Sequence, residues 1–128
     1  MNDIYKEHIL DHYSNPRNRG VMEKPEIYFK DSNPLCGDEL AMYAKLDKKT
    51  VKEASFIARG CAISLASASM LTEEVKGKNL EEIKAMTPDD MTNMLMIPIS
   101  AARIKCAILA LKTLQAGIAI YERKHDST

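Results

Sequence analysis

The segment that decides the fold covers residues 40–59 and reads LAMYAKLDKKTVKEASFIAR. Apolar side chains recur at every second position of its first half, at Leu40, Met42, Ala44 and Leu46. A short polar turn over residues 47–50 separates this half from a second strand, Val51 to Arg59. The second strand places on one face Ala54, Phe56 and Ala58. Two strands of period two joined by a short polar turn predict a β-hairpin.

Toward the N-terminus the strand pattern continues and then gives way to a helix. Ile27 and Phe29 alternate with polar neighbours and predict a third strand of the same meander. Further upstream, residues 3–13 carry apolar side chains at helical spacing. The intervening stretch SNPRNRG, residues 14–20, ends that helix in an irregular loop because it contains Pro, Gly and two Asn residues.

Toward the C-terminus the period changes to that of helices. Residues 61–76 predict one helix that ends before Gly77, residues 80–86 a short one, and Thr87-Pro88 the start of another. Pro98 interrupts the chain, and residues 100–123 form the longest predicted helix. Its expected apolar stripe consists of Ile104, Ile108, Leu111, Leu114, Ile118 and Tyr121.

Strands followed by helices predict an α+β fold: a small three-stranded antiparallel sheet packed by helices, with a long C-terminal helix. We interpret residues 1–128 as a single domain, because the length is that of one ordinary domain and no linker or repeat divides it.

Composition excludes several classes of partner. The chain has 18 basic and 18 acidic residues, which argues against nucleic-acid binding through a general basic field. No apolar run approaches the roughly 20 residues of a membrane helix, so no membrane partner is expected. The N-terminal stretch MNDIYKEHILDHY is amphipathic and acidic, unlike a secretory signal or transit peptide. We therefore expect a cytoplasmic protein.

The three cysteines, Cys36, Cys61 and Cys106, are the main candidates for chemistry. An odd number cannot all pair within the chain, and a reducing compartment disfavours disulfides. Each cysteine falls at or near a junction of predicted elements, where its side chain can project from the packed body. Cys61 opens a helix, and Cys106 lies beside Lys105; a helix N-terminus or a nearby cation favours thiolate over thiol.

Asp38, two residues after the first cysteine, completes a set of four ligand candidates. Thiolates suit zinc, copper(I) and iron–sulfur centres. An oxygen in place of the fourth sulfur suggests a site that holds its occupant less tightly than four cysteines would. The spacing matches no zinc-finger rule, so chemistry alone leaves open a metal or cluster site and a set of unrelated thiols. Asp38 also suits a plain turn-capping role.

The chain resembles the IscU/NifU N-terminal/SufU family of iron–sulfur scaffold proteins along nearly its whole length. The matching stretches are YSNPRNRG (13–20), NPLCGD (33–38), RGCAISLASAS (59–69), TEEVKG (72–77) and RIKC (103–106). The resemblance implies a site exposed at one end of the fold, with Cys36, Asp38, Cys61 and Cys106 as ligands of a [2Fe–2S] cluster. It also implies Cys106 or Cys36 as acceptor of persulfide sulfur, with Cys106 ranked first.

The same resemblance implies the partners. A cysteine desulfurase supplies sulfur, further proteins supply iron and electrons, and acceptor apo-proteins take the cluster. Such a protein is an assembly scaffold rather than an enzyme. Zinc is the alternative occupant of its cluster-free form. The sequence leaves a dimer open.

Two departures from the family pattern keep a second function in view. IscU-like members carry His before the last cysteine and a Leu-Pro-Pro-Val-Lys motif upstream of it; this chain has Lys105 and Ile99-Ser100-Ala101-Ala102-Arg103. Lys105 favours a zinc-dependent sulfurtransferase of the SufU type. The short separation of Cys61 and Cys106 leaves no room for the SufU insertion and favours the scaffold. A third hypothesis is a regulatory partner of the desulfurase.

Other polar residues have plainer interpretations. His8 and His12 lie one helical turn apart, and we expect a surface or partner-contact role for them. We expect Ser64, Ser67 and Ser69 to be helix-packing residues, since no His/Asp pattern supports a nucleophilic serine. Arg103 and Lys105 are expected on a solvated helix face.

Overall fold

The computed structural model describes residues 3–33, 37–96 and 99–125. Within these ranges the chain forms three strands and five helices. In chain order they are α1 (Asp3–Ser14), β1 (Ile27–Asn33), β2 (Asp38–Asp47), β3 (Thr50–Arg59), α2 (Ala62–Val75), α3 (Leu80–Lys84), α4 (Pro88–Leu95) and α5 (Ala101–His125). The predicted α+β class, with one small sheet and a long last helix, is confirmed.

The sheet is an antiparallel meander with β2 in the centre. The pairing of β2 with β3 passes from Lys45 opposite Glu53 to Leu46 opposite Val51, so that Lys52 is an extra residue in β3. This bulge lets Val51 and Ala54 both face the core although they lie three positions apart. Beyond the bulge, Ala54, Phe56 and Ala58 are buried on one face of β3, as predicted.

Helices α2 and α5 cover one face of the sheet, and α1 packs on the outside of α2. A Cβ on Gly117 would lie 2.9 Å from Ile27 Cγ2, so the missing side chain lets α5 lie directly on β1. Leu111, Leu114 and Ile118 are buried as predicted, but Ile104 is 37% exposed. The predicted stripe was wrong at Ile104, because the first turns of α5 instead bury the face that carries Cys106.

Helix ends follow the local signals in the sequence. Gly77, with φ of +86°, follows α2 in the left-handed conformation that glycine tolerates. Thr87 accepts a hydrogen bond from the Asp90 amide, and Asp90 accepts one from the Thr87 amide, a capping box in front of α4. The expected break at Pro98 lies outside the described residues.

The loop that follows α1 protects the outer edge of β3. The Gly20 amide donates to the Phe56 carbonyl at 2.8 Å, and the Phe56 amide donates to the Asn18 carbonyl at 3.0 Å. The Asn18 side chain also bonds Thr72 and Lys76 of the α2 region. This part of the SNPRNRG motif therefore closes a strand edge that could otherwise pair with another chain.

By length and composition, Arg103–His125 of α5 could cross a membrane, although the sequence showed no continuous apolar run of that length. Half of its most apolar window is buried inside the fold. Its apolar side chains are thus used in the core against β1 and β2, as expected of a central helix.

His12 is buried and not on the surface, so that expectation was wrong for this residue. Its Nδ1 lies 2.7 Å from Ser69 Oγ, which also accepts a hydrogen bond from the Arg17 amide at 2.8 Å. The Ser69 hydroxyl can donate to Nδ1 or accept from it, according to the tautomer of the imidazole. Through Ser69, His12 and Arg17 join α1 and the following loop to α2.

We predict that stability falls when the solution is acidified below the ordinary His12 pKa of 6.5. Burial is the main cause that lowers the His12 pKa, and the charges of Arg17 and His8 add to it, against the opposing Glu73 and Asp11. A lowered folded-state pKa contributes stability that is complete above 6.5 and is lost as pH falls through the folded value. The free energy of unfolding in urea, measured from about pH 7 to about pH 5, tests this.

His12→Asn is the control, since an amide offers Ser69 both an acceptor and a donor and does not titrate. This variant should lose part of the pH dependence between these values. An unchanged slope would show that other groups govern the acid response.

Candidate metal centre

Strand register brings Asp38 next to Cys61, although 22 residues separate them along the chain. Asp38 is the first residue of β2, and the neighbouring Glu39 pairs with Arg59 at the end of β3. Gly60 and Cys61 then lead directly into α2, with Cys61 as its N-cap residue. Asp38 is thereby placed beside the N-terminus of α2.

Both carboxylate oxygens of Asp38 are hydrogen-bonded. Oδ1 accepts from the Cys61 amide at 2.9 Å, and Oδ2 accepts from the Ser64 hydroxyl at 2.5 Å. Asp38 is fully buried, and a buried carboxylate is tolerated when its lone pairs are satisfied. The positive end of the α2 dipole adds to its stabilisation.

Cys106 reaches the same point from the second turn of α5. The Cys61 and Cys106 thiols and a carboxylate oxygen of Asp38 all lie within 4.8 Å of one another. The Cys61 sulfur is 3.7 Å from Asp38 Oδ2. The structure thus brings together three of the four ligands predicted from the sequence; the fourth, Cys36, lies outside the described residues.

These separations suit a bound metal ion. On a tetrahedral zinc ion with usual bond lengths, an oxygen and a sulfur ligand lie about 3.6 Å apart, and two sulfurs about 3.8 Å apart. The observed oxygen–sulfur distance of 3.7 Å is already close to that value. Two thiols and a carboxylate also form a donor set that zinc and iron both accept, so the residues fit the group that the family resemblance implies.

The site is less exposed than the sequence suggested. Asp38 and Cys106 are 0% and 1% exposed, and only Cys61 is half-buried. The expectation of cysteines projecting from the packed body was wrong for Cys106, because α5 turns this residue toward the core. Arg103 and Lys105 are exposed, as predicted.

Gly60 was overlooked in the sequence, and the carboxylate position depends on it. A Cβ at Gly60 would lie 2.1 Å from Asp38 Oδ1 and 2.7 Å from its Cγ, far inside van der Waals contact. The backbone has φ of +155°, a value that side chains rarely permit. A glycine directly before a ligand cysteine was the available signal.

Ser64 was interpreted as a packing residue, and the structure corrects this. It is buried in α2 and donates to Asp38, as described above. The signal was its position three residues after Cys61, which puts both side chains on one side of the first helical turn. Ser69 is likewise a hydrogen-bonding residue, through His12 and Arg17.

Comparison with known proteins assigns the chain to a family. The family model described as NifU-like N terminal domain matches residues 4–128. The chain belongs to this family. The resemblance inferred from the sequence is therefore confirmed, and the match covers the region that carries Asp38, Cys61 and Cys106.

Two groups of relatives of this NifU-like N-terminal domain carry different names. A zinc-dependent sulfurtransferase SufU of Bacillus subtilis is 37% identical over 93% of this chain and 92% of its own length. An iron–sulfur cluster assembly scaffold protein IscU of Haemophilus influenzae is 38% identical over 94% and 97%. An IscU of Escherichia coli is 36% identical over 96% and 98%.

Solved structures agree on the fold of the NifU-like domain. FiSufU of Fervidobacterium islandicum has a TM-score of 0.78 and 26% identity over 88% of this chain and 94% of its own. The N-terminal NifU-like protein of Brucella abortus has a TM-score of 0.79 and 24% identity over 96% and 97%, a likeness of fold alone.

We predict that Gly60→Ala weakens zinc binding about tenfold or more, because the added Cβ displaces the Asp38 carboxylate. The clash should also reduce the free energy of unfolding by roughly 1–3 kcal/mol. Competition with a chromogenic chelator measures the affinity of the purified domain.

Gly20→Ala is the matched control, since Gly20 has φ of +153° and nothing within 4 Å of the added Cβ. It carries the same backbone penalty without the contact. Equal zinc affinity of the two variants would contradict the role of Gly60.

Proposed function

We propose that this domain is a scaffold on which a [2Fe–2S] cluster is assembled and from which it is passed to acceptor proteins. The observation that carries the proposal is the convergence of one carboxylate and two thiols within 4.8 Å, in a member of a family whose relatives include IscU. Iron and sulfide are cargo in this function, so the domain itself is not an enzyme.

The proposed ligands of the cargo are Cys36, Asp38, Cys61 and Cys106. Thiolates suit iron–sulfur centres, and the single carboxylate gives the set one harder and more exchangeable donor. Such a mixed set supports a cluster that must leave again. Burial of Asp38 and Cys106 also supports the function, because it limits access of water and oxidants to the growing cluster.

Sulfur delivery requires a thiolate of the domain to attack the terminal sulfur of a persulfide on the cysteine desulfurase. A new S–S bond forms on the domain, and the donor cysteine leaves as a thiolate. Each transferred sulfur then needs two electrons to become sulfide. A separate electron donor supplies these electrons, and an iron donor supplies Fe²⁺. Cys106 and Cys36 remain our candidate acceptors, and Cys106 must become more accessible than its 1% exposure to act as one.

A cleft on the outer face of the sheet offers a partner a route to the site. It has a volume of about 820 Å³ and extends to Gly60, and its lining includes the exposed apolar side chains of Tyr13, Val21, Tyr28 and Ile57. Exposed apolar patches on soluble domains commonly mark interaction sites. We propose that the desulfurase or an acceptor docks near this cleft, in the cytoplasm.

The second candidate function is zinc-dependent sulfur transfer, in which a zinc-bound cysteine takes persulfide sulfur from the desulfurase and passes it onward. The SufU relative and Lys105 favour it. Against it, the comparison with SufU extends over 136 positions, more than the 128 residues of this chain, so part of SufU has no counterpart here. The oxygen–sulfur separation of 3.7 Å suits zinc in the cluster-free form under either function.

Anaerobic reconstitution with iron, cysteine and a cysteine desulfurase tests the scaffold. We expect a brown protein with a [2Fe–2S] spectrum and acid-labile sulfide, and Cys106→Ser should abolish both. A colourless protein that keeps one zinc ion and still relays sulfur would support the second function. Full assembly by Cys106→Ser would show that the ligand set is wrong.

We further predict that Asp38→Ala lengthens the lifetime of an assembled cluster, because the exchangeable oxygen ligand is removed. The half-life of the visible absorption under excess chelator is the measurement. Asp38 also lies at the N-terminus of α2, so the substitution should lower the free energy of unfolding by about 1 kcal/mol. Thermal unfolding of the same variant measures this loss. An equal or shorter half-life would contradict this role.

A further inference from the structure

Ser64 contacts all three of the described ligand residues. Its hydroxyl oxygen lies 2.5 Å from Asp38 Oδ2, 3.7 Å from the Cys61 sulfur and 3.5 Å from the Cys106 carbonyl oxygen. The residue is 3% exposed and belongs to the first turn of α2. From the sequence, Ser64 was expected only to pack within the helix.

We propose that Ser64 is a positioning residue that holds the Asp38 carboxylate in its metal-binding orientation before any metal arrives. The inference rests on the proposed function, because it assumes that Asp38 is a ligand. It assigns to Ser64 no contact with the cargo itself.

The hydrogen-bond geometry gives Ser64 this role. A hydroxyl has one proton, and of its two acceptors the Asp38 oxygen is closer by 1.0 Å than the Cys106 carbonyl. The proton therefore goes to Oδ2, while Oδ1 is held by the Cys61 amide. Two donors fixed on the same helical turn set both the position and the rotation of the carboxylate.

The orientation fixed in this way is one that a metal can use. Oδ2 accepts one proton from Ser64 and keeps lone-pair capacity for a second partner, since a carboxylate has about four such sites. This oxygen lies 3.7 Å from the Cys61 sulfur, near the separation of about 3.6 Å expected on one zinc ion. Hydrogen bonds that orient metal ligands are commonly worth ten- to a hundredfold in affinity.

Ser67, one turn further along α2, is a buried serine that lacks a contact with Asp38. It is 1% exposed, and its hydroxyl has no hydrogen-bond partner among the described residues. The two serines are therefore matched in helix and burial, and differ in the contact with Asp38.

Zinc affinity of the purified domain, measured anaerobically by chelator competition, tests the proposal. Ser64→Ala should bind zinc about ten- to a hundredfold more weakly, and Ser67→Ala like the wild type. In an Asp38→Ala background, Ser64→Ala should have no further effect, because a positioning residue acts through its ligand.

Ser64→Thr and Ser64→Val provide a second comparison at equal size. Ser64→Thr keeps the hydroxyl, and this variant should bind zinc about ten- to a hundredfold more tightly than Ser64→Val. Equal affinity of this pair, loss of folding in both, or an undiminished Ser64→Ala effect without Asp38 would assign Ser64 to packing and overturn the proposal.

Cys106→Ser separates failure of this inference from failure of the function. If Cys106→Ser binds zinc as the wild type does, the ligand set is wrong and the proposed function fails with it. If Cys106→Ser loses zinc while Ser64→Ala keeps it, only the role of Ser64 is disproved.

Discussion

The carboxylate of Asp38 is buried where β2 begins, α2 begins and α5 passes by, and the site depends on how it is held there. An unpaired charge in such a place would cost several kcal/mol. Here the Cys61 amide and the Ser64 hydroxyl satisfy it, and the absence of a side chain at Gly60 makes room for it. The carboxylate that is proposed as a ligand is therefore also a structural contact between β2 and α2.

This arrangement follows from strand register more than from any local motif. Pairing of Glu39 with Arg59 sets which residue of β2 meets the β3–α2 junction, and a slip by one position would turn Asp38 to the other face. The α5 side of the site depends on a different contact, the close approach of Gly117 to Ile27, which fixes α5 on β1. Two packing constraints that are remote from the ligands thus bring the ligands together.

The sequence predicted most of the fold because its local signals agree with one another. The hairpin, the end of α2 before Gly77 and the cap at Thr87 all follow from period and turn chemistry. It failed where burial is decided by tertiary contacts. Ile104 fits the apolar period but is exposed. His12 is polar but buried, because its Nδ1 forms a hydrogen bond with Ser69 Oγ.

The candidate site shows the same division. The thiols and the carboxylate could be named because their residue types suit a metal and because they lie in the stretches that carry the family resemblance. Ser64 and Gly60 could not, since serine and glycine have many uses and their role here exists only through the position of Asp38. Supporting residues are in general harder to predict than ligands, because their signal is a distance and not a residue type.

Metal binding at this point is necessarily linked to folding. The described ligands come from β2, the start of α2 and α5, so any ion or cluster they hold also ties these three elements together. Binding that is confined to the folded state stabilises it by mass action, and release removes that stabilisation. An acceptor that draws the cargo away therefore also removes this contribution to the stability of the junction, while the Cys61 amide and the Ser64 hydroxyl continue to hold the Asp38 carboxylate.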